Sequence, residues 1–494
     1  METRGAGEWA AGSASVGEVD AVVVGAGPNG LAAAVVLARA GLTVEVYEAA
    51  DEPGGGARTA EMVLPGFRFD LCSAVHPMGV ASPFFRALDL AAHGVEMAQP
   101  EVAYAHPLDG GRAGLAWRDL DRTAEGLGPD GRAWRGLLGP LAERWQGLAA
   151  TALSDLRRPP GDPLTAVRLG LRMAEQGSPA WGLRFRGQVA PALLTGVSAH
   201  AIRPPRTPTA AGVALVLAGL AHGVGWPLPR GGSQAITRAL VKVLHEHGGR
   251  VVTGHRVTSL SELPRAKAVL LDIAPAELLR IAGDRLPARY ARSLRRFRYG
   301  GGACKIDFAL SGPVPWTAPG CDVAGTLHLV GAREEAVAVE RAVLAGRHPD
   351  RPYVLAVQPG VVDPTRAPAG RHTLSTYAHV PQGSSADVTA AVVAQIERFA
   401  PGFRDLVLAR QVITAAEQER HNPNYVGGDI AAGAMTLRQT VLRPAARWNP
   451  YSTPLPGVYL CSASTPPGPG VHGMAGVHAA RRALRRRFGI RTTP

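Results

Sequence analysis

Near the start of the chain the apolar positions form a short run, a gap and a longer run. Residues 21–24 are apolar in a row and predict a buried strand. Gly25-Ala-Gly27-Pro-Asn-Gly30 follows as a turn, and the Ala/Leu/Val-rich run after it predicts a helix ending near Gly41. Residues 43–47 predict a second strand, closed by Glu48. Farther on, Ile236, Leu240, Val243 and Leu244 make one face of a helix from about Ser233 that stops at Gly248-Gly249. His245 and His247 sit near its end as capping or surface residues. Residues 250–257, 267–272 and 457–460 read as strands, and Val477, Ala480, Leu484 and Phe488 form the apolar stripe of a last helix. From about 80 to 224, helical patterns are broken by Pro-rich stretches at 157–160 and 203–205. No apolar run approaches the ~18 residues of a membrane-crossing helix. Residues 1–17 lack the cationic start and apolar core of a signal peptide and read as a disordered tail.

Strand, glycine turn, helix, strand and acid make up the βαβ dinucleotide fingerprint, with the acid about 20 residues beyond the glycines. Each part has a physical task. Gly25 allows the tight turn, Gly27 lets backbone N–H groups reach a pyrophosphate, and Gly30 lets the helix sit close on the strand. Pro28 and Asn29 complete the turn at the helix N-terminus, where unpaired N–H groups and a partial positive charge face the phosphates. Glu48 accepts hydrogen bonds from a ribose diol. A second helix N-terminus follows the Pro/Gly loop that begins at Ser464, and reaches Gly473-Met474.

The chain has 494 residues, which implies at least two domains, and 46% of them are hydrophobic, enough for a large core. Lys and Arg number 53 against 40 Asp and Glu, a formal charge of +13. Arg481, Arg482, Arg485, Arg486 and Arg487 supply part of the excess. They read as the solvated side of the last helix; the sharper alternative is peripheral contact with an anionic membrane. Aromatic residues make up only 5%, with no stacking pattern, so no nucleic-acid partner is expected. Cys72, Cys304, Cys321 and Cys461 include no closely spaced pair, which argues against a thiol–disulfide couple and fits a reducing, cytoplasmic compartment. No Cys/His cluster has metal-ligand spacing, so no metal site is expected.

Taken together, four segments resemble the FAD-dependent phytoene desaturase/amine oxidase superfamily. They are residues 22–48; 53–55 with 65–70; 225–232 with 249–257; and 457–480. Residues 421–430 are similar as well. Within the superfamily the chain is most similar to the phytoene dehydrogenase-like oxidoreductases, the pyridine nucleotide-disulphide oxidoreductase domain-containing protein 2 type. Two departures stand out. Many relatives have Arg directly after the glycine pair, where this chain has Gly56, and Arg58 is the substitute near a phosphate. The usual His-Pro after the threonine is Pro466-Pro467 here; Ala463, where amine oxidases carry an Asp, is instead common in desaturase-like members.

The resemblance implies an α/β fold: a discontinuous Rossmann-type FAD-binding domain (18–80, 225–275 and 430–494) with an inserted α+β substrate domain (81–224 and 276–429). It makes the single dinucleotide FAD, despite the pyridine nucleotide in the subgroup's name. Gly54, Gly55, Arg58 and Ser464 join the cofactor site, Val257 sets its backbone against the adenine, and Gly473 and Met474 lie near the isoalloxazine or ribityl chain. The implied activity is hydride removal from a C–H or C–N bond of an apolar or small-metabolite substrate; the alternatives are an amine oxidase and a flavin-binding regulatory protein. His76, His421, Tyr425 and His472 lie in or beside these segments and are the candidates for proton transfer.

Overall fold

The computed structural model describes residues 18–491; the tail expected over 1–17 lies outside the described residues. A parallel five-stranded sheet runs in the order Val458–Leu460, Ala266–Leu271, Val19–Val24, Val44–Tyr47, Arg250–Val252. Both faces are covered, as parallel sheets require. Ala21 and Val23 point into a core shared with helices Pro28–Arg39, Gln234–Glu246 and Met474–Ala483. Val22 and Val24 point the other way, against Leu278, Tyr290 and Leu294 of helices Pro275–Ala282 and Ala288–Arg295. The domain boundary expected at 275 therefore falls before two helices that pack on this sheet.

The strands are shorter than the sequence pattern predicts. The run 250–257 pairs only over Arg250–Val252, because Gly254 takes a φ of +66° and the His255 N–H donates to the Glu48 carbonyl. The second strand starts at Val44 rather than Thr43, and the fourth ends at Leu271, leaving Asp272 just past its end.

A second sheet has seven strands, in the order Val407–Ile413, Gly302–Leu310, His372–Val380, Val354–Val357, Ala324–Leu329, Val102–Leu108, Arg112–Trp117. Helices drawn from residues 131–223 cover one side around Trp134, Leu138 and Leu193, and meet Ala32, Met474 and Val477 of the first unit. The two units thus share packed surface at the C-terminal ends of the five parallel strands.

Two glycines set that junction. A Cβ at Gly30 would stand 2.0 Å from the Gly25 carbonyl oxygen, and one at Gly476 would stand 1.8 Å from that of Asn29. The first helix is thereby wedged between the turn and the last helix. In the last helix Val477, Ala480 and Leu484 are buried, and Phe488 packs at the edge of the core. Arg485 and Arg486 are exposed, and Arg487 donates to the Lys267 carbonyl near the start of a parallel strand. These arginines therefore lie on the edge opposite the glycine turn.

Gly476→Ala is expected to lower unfolding free energy by about 1–3 kcal/mol through overpacking. Gly170, in a helix and with nothing within 4 Å of a Cβ, is the contrast: Gly170→Ala should stabilise by up to about 1 kcal/mol. Denaturant unfolding of both variants checks this; equal effects would contradict the wedge.

Candidate active site

A cavity of about 770 Å³ opens at the C-terminal ends of the parallel strands and runs between the two sheets. Its volume is in the range of cofactor and ligand sites. At one end lie Gly25, Gly27, Pro28, Asn29, Glu48, Gly55 and Val257. Gly25 has a φ of +96°, and a Cβ at Gly27 would stand 2.8 Å from an Asp272 carboxylate oxygen. Asp272 takes the space that a side chain at Gly25 or Gly27 would need. Glu48 is held at the strand end by two backbone donors: Ala26 N–H to Oε2 at 2.7 Å and Ala50 N–H to Oε1 at 2.9 Å. The buried Asn29 Oδ1 has no partner among the described residues.

Gly30, Gly54, His472, Gly473 and Met474, also singled out from the sequence, stand away from the cavity wall. Gly30 packs on Gly25, and Gly54 adopts a φ of +135° under the Arg58 side chain. Gly473 caps the last helix, where a Cβ would stand 2.8 Å from Ala32 Cβ. Met474 is buried in the core between the two units. His472 is buried too: its Nδ1 accepts from the Met474 N–H and its carbonyl from Ser82, while burial pushes its imidazole down to about 4. Ser464 lines the cavity with its hydroxyl donating to the Ala432 carbonyl.

The unusual Gly56 has a structural reason. A Cβ there would meet the Tyr425 hydroxyl at 2.1 Å, so Tyr425 fills the space a larger residue would need. Tyr425 shares a hydrogen bond with Cys72, and burial raises both groups, so both stay protonated. Arg58 lines the same cavity, donating from Nε to the Gly55 carbonyl at 3.3 Å and to His421 Nε2 at 2.9 Å. That bond places the His421 proton on Nδ1. Burial, then the Arg58 charge, lowers the His421 pKa. His76 lines the cavity, with Nε2 at 2.7 Å from the Ser233 hydroxyl, and burial pushes it down to about 4.

The sequence reading missed several wall residues. Lys305 lines the cavity and pairs with the buried Asp307. The signal was present: two polar residues at i and i+2 in an otherwise apolar strand share one face. Trp226, Tyr377 and His200 also line it, arriving from three distant segments. Asp272 is the most consequential. Its Oδ2 accepts from the Gly30 N–H at 2.9 Å, so an acid occupies the turn that would meet an anionic ligand. Burial pushes its carboxyl up to about 7, the Gly30 N–H opposes that rise, and the Glu48 charge adds to it.

A family model described as flavin containing amine oxidoreductase matches residues 29–484. The chain belongs to this family. It is an oxidoreductase and FAD is its cofactor, as the glycine cradle and the anchored acid fit. Rat pyridine nucleotide-disulfide oxidoreductase domain-containing protein 2 is 25% identical over 95% of this chain and 94% of its own length. One component of the limonene dehydrogenase of Castellaniella defragrans is 38% identical over 112 residues, 23% of this chain and 20% of its own. Cyclohexylamine oxidase from Brevibacterium oxydans shares the fold, with a TM-score of 0.57 at 15% identity over 94% of this chain and 97% of its own.

FAD binding is expected to depend on both acids, with opposite signs. Glu48→Ala should weaken it by about tenfold or more, the loss of a charge-assisted bond worth about 1.5–3 kcal/mol. Asp272 favours a diphosphate only when neutral, so affinity should be highest below about pH 7 and fall as pH rises through that value. Asp272→Asn should remove that fall. Fluorescence titration of the apoprotein with FAD across this range is the check; a flat wild-type profile would contradict the reading of Asp272.

Proposed function

We propose that the cavity binds an apolar or small-metabolite substrate against FAD and removes a hydride from one of its C–H or C–N bonds. The observation that carries this is the arm of the cavity leading away from the glycine turn. Leu169, Met173, Val213, Val216, Leu217 and Val441 wall it, and they belong to the unit that contains the seven-stranded sheet or to the helix beside it. Such a wall excludes water and leaves a hydrocarbon no polar group to displace. The limonene dehydrogenase component supports an apolar substrate by its name.

FAD supplies the hydride acceptor when bound. The residues proposed to hold it are Gly25, Gly27, Pro28, Asn29, Gly55 and Val257, with Glu48 on the ribose. Near Lys305 the charges of the lining include two ion pairs, Lys305 with Asp307 and Asp70 with Arg366, and the Arg58 guanidinium beside His421. Cys72 and Tyr425 stay protonated, and His76 stays uncharged. Arg58 uses the His421 lone pair that a base would need, and Met474 uses one nitrogen of His472. We therefore assign these histidines to positioning rather than proton transfer. Four unpaired cysteines support a reducing, cytoplasmic setting.

A second reading is oxidation of an amine. The sequence shows no aromatic cage, but folding brings Trp226, Tyr377 and Tyr425 onto one cavity wall, and such rings attract a cation.

Anaerobic stopped-flow mixing of the FAD-loaded protein separates these readings. Isoprenoid hydrocarbons and their alcohols should bleach the flavin, and NADH and NADPH should not do so within seconds. Bleaching by primary amines alone would establish the second reading. Rapid bleaching by NAD(P)H would overturn the assignment of a single dinucleotide.

A further inference from the structure

Helix Pro163–Gln176 is apolar on the side it should not be. Its inner side buries Thr165, Leu169 and Gln176. Its outer side presents Leu164, Val167, Gly170, Leu171 and Ala174, all exposed, with Val167 at 60% and Leu171 at 66%. Spacings of three and four put them on one face. None of the described residues covers it.

This face continues into the cavity mouth. Leu156 and Leu437 are largely exposed and also line the cavity, as do Leu169 and Met173 on the inner side of the same helix. Trp448 is 100% exposed, and the carbonyl of its neighbour Arg447 accepts a hydrogen bond from Arg157 beside Leu156. The charge on this face is one-sided. The acids in and beside this face are Asp155, Asp162 and Glu175, and each is paired with an arginine, Arg157, Arg144 and Arg184 respectively. Arg158, Arg168 and Arg438 are exposed there.

We propose that this face docks on an anionic lipid bilayer, with the cavity mouth turned toward the lipid. A helix with exposed leucines, a nearby tryptophan and flanking arginines is suited to lie in the plane of a membrane interface. The arginines match anionic headgroups. A bilayer is favoured over a second copy of the chain because the net charge of +13 opposes self-association through a cationic face. A folded partner would also cover the side chains that form the mouth, whereas lipid would deliver apolar molecules to it. Of the arginines of the last helix, Arg482 stands beside Trp448 and near Arg158 and extends this face, whereas Arg487 reaches the start of a parallel strand instead. The orientation rests on the apolar-substrate reading, but docking itself is measured without turnover, so either can fail alone.

The test is co-sedimentation of the FAD-loaded protein with phosphatidylcholine vesicles, with and without phosphatidylglycerol. The wild type should pellet with the anionic vesicles and be released by added salt. Val167→Ser/Leu171→Ser should bind about tenfold more weakly or worse. Arg168→Gln/Arg438→Gln should bind roughly thirtyfold more weakly, at about 1 kcal/mol for each arginine near the surface. Both sites are exposed, so flavin content and melting temperature should be unchanged, which separates lost docking from lost folding. Arg485→Gln/Arg486→Gln/Arg487→Gln should pellet like the wild type. The proposal is overturned if the wild type stays in the supernatant, if only the triple variant loses binding, or if sedimentation velocity shows a dimer that Val167→Ser/Leu171→Ser dissociates.

Discussion

The contact on which the remaining structure depends is made by two missing side chains. Gly30 lets the first helix close on the Gly25 carbonyl, and Gly476 lets the last helix close on the Asn29 carbonyl. Both contacts fall in the first turns of their helices, so they fix where the helix ends point as well as how closely they pack. The glycine turn then faces the cavity, and the last helix reaches the Trp134 core of the second unit through Met474 and Val477. A single added methyl at either glycine would part these layers.

Around that cradle the electrostatics are restrained. Buried imidazoles are kept neutral: His76 and His472 sit near pKa 4 and His200 near 3, each mainly because burial disfavours the charged form. Lys305 is answered by Asp307, and Asp70 by Arg366. Two further buried guanidiniums, Arg333 and Arg443, are held by hydroxyl and carbonyl oxygens rather than by acids. Asp272 departs from this pattern, since it sits next to a second acid where an anionic ligand belongs. If the FAD diphosphate lies at this turn, a neutral Asp272 suits it better than an ionised one, which would link proton uptake to cofactor binding.

Much of the dinucleotide unit was legible in the sequence because its determinants are local. The strand of 21–24, the three glycines and Glu48 lie within one βαβ unit, and the structure places Gly25, Gly27 and Glu48 at one end of the cavity. Local reading failed where the determinants are distant. Asp272 reaches Gly30 only through the pairing of the Ala266–Leu271 strand with Val19–Val24, a contact that no spacing reveals. Tyr425 explains Gly56 across hundreds of residues. His472 and Met474 belong to a motif segment that reaches the site, but their side chains turn into the core. The outer side of the Pro163–Gln176 helix was hidden as well, because an apolar face on both sides reads in sequence as ordinary burial.

The central claim is that this arrangement holds one FAD and no second dinucleotide. Acid precipitation of the purified protein, followed by chromatography of the supernatant, tests it most directly. One equivalent of free FAD per chain and no pyridine nucleotide is the predicted result. Flavin left bound to the pellet, bound NAD(P), or a protein that stays colourless after incubation with FAD would contradict it.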